Sequence, residues 1–203
     1  DARKKPKLDE GMVIEDGSIP GAMSTFLPAA LEAASGLVGK DMDDGLIDFA
    51  KEKTRALESV VRGAYHGATY NTQTFLVMAH DNGSGRLHLE DDRLRISWPG
   101  VGEQPVFYNV NARLQEATKA LGGTFVMNPI WSRFLGRDAI APHPLGGCNM
   151  AEDATQGAVN HKGQVFSSTT GSDVYDGLYV NDGAVIPRSV GVNPLLTISA
   201  LAE

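Results

Sequence analysis

The clearest alternation of apolar and polar positions lies in the middle of the chain. Arg86 to Leu89 and Arg93 to Trp98 alternate around Asp91-Asp92, which predicts an antiparallel hairpin with Leu87, Leu89, Leu94, Ile96 and Trp98 on one buried face. Thr72 to Ala79 reads as a strand before it, and Val106 to Leu121 and Thr124 to Met127 read as a helix and a strand after it. Upstream, Met12-Val13-Ile14 followed by Glu15-Asp16-Gly17 predicts a strand and a turn, with a solvated lysine-bearing stretch ahead of them. Ala22 to Leu37 predicts a helix started or interrupted by Pro28. Asp43 to Arg62 predicts a more regular one, with Leu46, Phe49, Lys53, Leu57, Val60 and Val61 on roughly one face. Helices and strands segregated in this way indicate an α+β domain, an antiparallel or mixed sheet with helices on one side.

The end of the chain reads differently. Leu178-Tyr179-Val180 is a short apolar run between Gly177 and Asp182-Gly183, so it predicts a buried strand that delivers Asp182 to a loop at its C-terminal end. Asn193 and Pro194 then open an apolar run that continues to Glu203. Asn is a favoured helix cap, and Pro is tolerated at the first helical position because its missing N–H would be unpaired anyway. A helix is therefore expected from Pro194. Its first turn has no acidic side chain, so free N–H groups and the positive end of the helix dipole suit an anion, or a group that becomes one.

Composition narrows the function classes. At 203 residues, 42% hydrophobic and 21% charged, the chain can bury a substantial core as one large domain, or as one domain and part of another. A net charge of -7 argues against nucleic acid or an anionic membrane surface as the main partner. The single cysteine excludes an internal disulfide and a multi-thiolate site. His66, His80 and His88 lack the i, i+4 spacing of a helical zinc pair, so no metal site is expected. Cys148 reads as a small buried residue, and His161, before Lys162-Gly163, as an exposed one. No apolar run approaches the ~20 residues of a transmembrane helix.

Two marks in the last third carry the chemistry: His143-Pro144-Leu145-Gly146-Gly147, and the run from Asn181-Asp182-Gly183 through Gly191-Val192-Asn193-Pro194-Leu195-Leu196-Thr197-Ile198. Together they resemble the closing signature of the glucose–methanol–choline family of FAD-dependent oxidoreductases. The wording Ser189-Val190-Gly191-Val192-Asn193-Pro194 is most similar to its bacterial cholesterol (steroid) oxidase branch. The resemblance is dense from about Pro142 to Glu203. It implies that residues 142–203 are the C-terminal segment of an FAD-binding, Rossmann-like domain, contributing its final strand and helix. Residues 1–141 would form a substrate-binding domain, with the N-terminal stretch a possible linker. Asp182 and Gly183 would lie against the ribityl and diphosphate part of FAD, and Asn193, Pro194 and Leu195 would bring the helix start to the pyrimidine edge of the flavin ring. His143 and Asn193 would face the flavin and the substrate hydroxyl.

The residue types suit that chemistry. Oxidising an alcohol moves a hydride to flavin N5 while the hydroxyl proton leaves separately, and a neutral imidazole, of unperturbed pKa about 6.5, accepts a proton at physiological pH. His143 is the candidate base. Asn193 offers an amide that donates to, or orients, the same oxygen, and charge developing on the reduced flavin would sit at the helix start. The implied partner is a small-molecule alcohol or sterol, a 3β-hydroxysteroid included. The two early helices either wall the substrate side or are ordinary covering helices; Tyr65, Tyr70, Phe75 and Met78 either line a hydrophobic cavity or are plain core. The steroid branch has a glutamate just before the strand that corresponds to Thr72 to Ala79. Here Ala68-Thr69-Tyr70-Asn71-Thr72-Gln73 has no carboxylate, and Glu58, the nearest upstream, falls on a predicted helix.

The Gly-x-Gly-x-x-Gly turn of dinucleotide-binding domains is absent, and Leu121-Gly122-Gly123 lacks a third glycine in phase. With a leading Asp in place of an initiator Met, and an end inside an apolar helix, the sequence reads as the C-terminal fragment of a longer enzyme. The FAD-binding portion N-terminal to it would complete the site, and the fragment alone is expected to be inactive and not to retain FAD. Two other readings fit the same residues: a sterol- or lipid-binding module without chemistry, and a degenerate relative with an empty flavin site.

Overall fold

A computed structural model describes residues 10–42 and 45–203. In chain order these form β1 (Met12–Gly17), α1 (Leu27–Val38), β2 (Gly39–Asp41), α2 (Leu46–Arg62), α3 (Gly67–Tyr70), β3 (Thr74–Ala79), β4 (Arg86–Glu90) and β5 (Arg93–Ser97). There follow α4 (Pro105–Leu121), β6 (Thr124–Val126), β7 (Gln164–Phe166), β8 (Val174–Tyr179) and α5 (Leu195–Ala202). The lysine-bearing stretch before β1, and residues 43 and 44 at the predicted start of the second long helix, lie outside the described residues.

The fold is mixed α/β with small sheets. Among the described residues, β2 pairs with β6, β4 with β5 and β7 with β8, each antiparallel, and β1 pairs with β3. Among the described residues, the one larger sheet expected from the alternation is thus divided into two-stranded pieces, because helices and loops separate the short strands; single bridges, such as Val159 with Val165 of β7, extend them no further. The chain divides into two compact units, one built mainly of Met78–Val106 and Ile140–Glu203, the other of Ile14–Val77 and Phe107–Ala139.

In the second of these, Pro28 starts α1 at its first turn, where it has no N–H to lose. Glu15-Asp16-Gly17 extends β1 instead of turning, and the chain bends later, at Gly21–Met23. On α2 the burial is opposite to the apolar periodicity. Phe49, Leu57, Val60 and Val61 are exposed, while Asp48, Glu52 and Ala56 are half-buried and Ser59 is buried. Ser59 explains this: its hydroxyl donates to His66 O at 2.6 Å and accepts from Thr69 N at 2.9 Å, tying α3 to the polar side of the helix. Gly67, at φ +62°, allows the approach, since a Cβ there would collide with the Arg55 carbonyl. Behind α4, Tyr108 meets Trp131 edge-on at 5.2 Å, and the Arg137 guanidinium lies 5.4 Å over the Tyr108 ring.

In the other unit the hairpin forms in the predicted register, Leu89 opposite Leu94 and Leu87 opposite Ile96. Asp91 and Asp92 both take positive φ, 50° and 56°, the two-residue turn geometry that matches strand twist. Its leucine face is not buried: Leu87, Leu89, Leu94 and Ile96 are exposed, and Trp98 is half-buried. Alternation sets which side chains share a face; it does not supply a layer to cover them. The core lies elsewhere, at Val159, Val185 and Ile186, with Leu145, Met150, Val165, Val180, Val190 and Ile198 around them. Each of the three central side chains, withdrawn from water, contributes about 1.5–3 kcal/mol. Leu178 and Tyr179 on β8 are exposed, contrary to the buried strand expected, and the chain enters the core only at Val180, whose N–H donates to Gly163 O at 2.9 Å.

Candidate functional site

His143 heads a loop shaped by two glycines in the left-handed region, Gly146 at φ +81° and Gly147 at φ +93°. Beyond His143 the backbone runs beside residues 183–185. Gly146 N–H donates to Gly183 O at 3.3 Å, Cys148 N–H to Ala184 O at 3.1 Å and Met150 N–H to Val185 O at 2.9 Å. Leu87 of β4 reaches this loop, where a Cβ on Gly147 would lie 2.7 Å from its Cδ1. The imidazole of His143 is half-buried, and its Nδ1 is sealed from solvent with no hydrogen-bond partner. An unpartnered buried nitrogen is uncommon enough to call for an explanation, and a group held for a ligand is one.

Asp182 is exposed, and its Oδ1 accepts Ala184 N–H at 2.8 Å, capping the single 3-10 turn Gly183–Val185. The bare Cα of Gly183 is hemmed in. A Cβ there would lie 3.1 Å from Leu145 Cδ2, 3.2 Å from Ile198 Cδ1 and 3.4 Å from Pro144 O. The loop of His143, the Asp182 turn and α5 therefore meet at one glycine.

At the start of α5 the cap falls one residue later than the sequence pattern suggests. Pro194 is the boundary residue, and Asn193 Oδ1 accepts Leu195 N–H at 3.1 Å. The first helical bond runs from Ile198 N to Pro194 O at 2.9 Å, so the N–H groups of Leu196 and Thr197 precede it. The first turn holds no acidic residue, and Leu195 and Leu196 are exposed. With Oδ1 engaged by Leu195 N–H, the NH₂ group is the donor end of the Asn193 amide that this bond leaves unused.

His80 is the residue that motif reasoning set aside. Its Nδ1 lies 3.1 Å from Ser189 O, in the loop that leads to Asn193. The signal available was Gly191, a glycine between two β-branched valines where no turn is indicated, which marks a close approach of another group.

The remaining candidates lie apart from these residues. A cleft of about 330 Å³ lined by Asn149, Met150, Ala151, Glu152, Gln156 and His161 includes neither His143 nor Asn193. In the loop it borders, the Thr155 hydroxyl at 2.5 Å, and then its backbone N–H at 2.8 Å, hold the half-buried Asp153 carboxyl below its ordinary range. Cys148 is half-buried and His161 exposed. In the other unit, Asp41, Asp48 and Glu52 bring carboxylate oxygens within 4.8 Å of one another, and Glu52 accepts the Thr124 hydroxyl at 2.5 Å. Glu58 is paired with Arg62 at 2.6 Å on α2. Tyr65 and Tyr70 are exposed, whereas Met78 is core. No helix among the described residues is long and apolar enough to cross a membrane.

Residues 107–202 match the family described as GMC oxidoreductase, in its C-terminal part. The chain is similar to a cholesterol oxidase of Mycobacterium tuberculosis, 31% identical over 138 residues, which is 63% of this chain and 22% of that protein. It is similar to a cholesterol oxidase of Acinetobacter baumannii, 43% identical over 61 residues, 30% of this chain and 10% of the other. A long-chain-alcohol oxidase of Arabidopsis thaliana is 31% identical over 83 residues, 41% of this chain and 10% of the other. The chain thus spans between 10% and 22% of the length of these relatives. No solved structure matches it.

Proposed function

We propose, from the match of residues 107–202 to the C-terminal part of the GMC oxidoreductases, that the chain forms the C-terminal part of an FAD-dependent enzyme that oxidises an alcohol carried on a large apolar body. Residues 142–203 are then the closing segment of a Rossmann-like FAD-binding domain, and residues 1–141 the substrate-binding domain. The observation that carries this reading is the meeting of the His143 loop, the Asp182 turn and α5 at Gly183, where a Cβ would lie within 3.4 Å of Pro144, Leu145 and Ile198.

The residues fit the cofactor. Gly183 is crowded, so that a side chain there would press on Leu145 and Ile198 beside the exposed Asp182, the start of α5 has no acidic residue, and Nδ1 of His143 is buried without a partner. FAD, when bound, supplies the ring that accepts the hydride. Asp182 and Gly183 would hold its ribityl and diphosphate part, and Asn193, Pro194 and Leu195, at the positive helix start, would lie on the side of its ring. His143 takes the hydroxyl proton, a task suited to an imidazole near neutral pH. The Asn193 amide donates to the alcohol oxygen and fixes its direction.

The relatives' names, cholesterol oxidase and long-chain-alcohol oxidase, share a hydroxyl on a bulky apolar body. The absence of a carboxylate from residues 68–73 favours the wider class over a sterol in particular. The test is the visible spectrum of the complete protein before and after anaerobic addition of a 3β-hydroxysteroid or of a long-chain primary alcohol. Bleaching of a bound flavin band by either compound supports the reading and names the substrate class. A complete protein that is purified without flavin and cannot take it up overturns it.

A further inference from the structure

Two contacts join the end of β3 to the loop ahead of α5, and a third closes that loop on itself. The Ser189 hydroxyl donates to Ala79 O at 2.6 Å, His80 Nδ1 lies 3.1 Å from Ser189 O, and Ser189 Oγ accepts Gly191 N–H at 3.3 Å. A carbonyl oxygen only accepts, so Nδ1 carries the proton in this contact whatever the charge of the ring. The ring also fills the space of a missing side chain. A Cβ on Gly191 would lie 2.9 Å from both Cδ2 and Cε1 of His80 and would collide with Nε2. The approach is possible only because residue 191 is a glycine, at φ +69°.

Asn193 follows Gly191 by two residues. Its far side is held by the bond from Leu195 N–H to Asn193 Oδ1, and its near side by the anchored segment Ser189–Gly191. We infer that His80 is a positioning residue: it fixes the 189–191 backbone and thereby the direction of the Asn193 amide, without touching substrate. This rests on the role given to Asn193 above. Removing the imidazole takes the side-chain donor from Ser189 O and opens space beside Gly191, so the loop gains freedom. A displacement of a reacting group's partner by about 1 Å can cost on the order of 10²-fold in rate.

The test uses the complete protein and the variants His80→Ala, His80→Asn, Asn193→Ala and the His80→Ala/Asn193→Ala pair. It reads the rate of flavin reduction by substrate and the hydrogen exchange of the 189–193 amides. His80→Asn keeps an N–H donor near the Nδ1 position without the ring. Expected are a fall of roughly 10- to 100-fold in His80→Ala, substantial recovery in His80→Asn, and faster exchange of the 189–193 amides in His80→Ala. The double variant should be no slower than Asn193→Ala alone, because both changes remove one interaction. The inference is overturned if His80→Ala keeps the full rate while Asn193→Ala is slow, if the two losses multiply, or if exchange at 189–193 does not change. Should Asn193→Ala react at the full rate, the reading of Asn193 is what fails. Faster exchange in His80→Ala then still upholds His80 as the holder of the loop, and unchanged exchange overturns that too. If His80→Ala does not fold, His80→Gln, whose amide reaches the Nε2 position and not Nδ1, replaces it.

Discussion

The imidazole of His80 stands where a side chain on Gly191 would have to go. Gly191→Ala therefore forces overlap with a half-buried ring, and overpacking of this kind costs about 1–3 kcal/mol. The positive φ at residue 191 adds a backbone cost that no repacking removes. The loss should be smaller when the same substitution is made in His80→Ala, because the overlap is gone and only the backbone term remains. Denaturant unfolding of the two single variants and the pair measures both terms. Equal losses in the two backgrounds would show that the ring does not limit residue 191.

His143→Gln should lower turnover by roughly 10²- to 10⁴-fold, the range for loss of a positioned base, while flavin remains bound. Stopped-flow reduction of the flavin by substrate measures it. Reduction at the parental rate would remove His143 from proton transfer.

Asn193→Asp separates charge from shape. A carboxylate still accepts Leu195 N–H, as Asn193 Oδ1 does, so the start of α5 survives. It also sets a negative charge where the reduced flavin develops its own, so the flavin should become harder to reduce. A potential that stays level or rises contradicts the placement of Asn193 at the flavin.

Asp92→Gly addresses the hairpin. Asp91 and Asp92 both hold positive φ, which costs a non-glycine residue about 1 kcal/mol. The Asp-Gly turn that results is a preferred one for two-residue hairpins. Against the added freedom of glycine in the unfolded chain, a net gain of about 0.5 kcal/mol is expected, seen as a higher unfolding midpoint with activity unchanged. A lower midpoint would mean that an aspartate side chain stabilises the turn by more than its backbone strain costs.

Much of the local structure was legible because its causes act within a few residues. Asp91-Asp92 between two alternating runs and Asn193-Pro194 ahead of α5 are each complete within a four-residue window, whereas Pro28 could start or interrupt a helix until the structure puts it at the first turn of α1. The boundaries of α4 and β6 fall within a residue of the pattern. The marks that suggest chemistry, His143 in its glycine loop and Asp182-Gly183, were legible for the same reason: they are short and contiguous.

Burial was not legible, because a window along the chain shows that a face is apolar and cannot show what covers it. Leu89 and Leu94 share a face and remain exposed, whereas Ser59 is buried by a turn that the apolar pattern of α2 gives no reason to expect. The same limit hid His80. It precedes Ser189 by 109 positions, and spacing rules of three or four residues test it only as a helical ligand. The sequence by itself determined the short elements, the caps and turns, and the order of the candidate site residues, since bonds between near neighbours specify them. Only the tertiary structure decided which faces are covered, that the His143 loop, the Asp182 turn and α5 converge on Gly183, and that the ring of His80 lies against Gly191. Each of those depends on contact between segments that chain distance does not bring together.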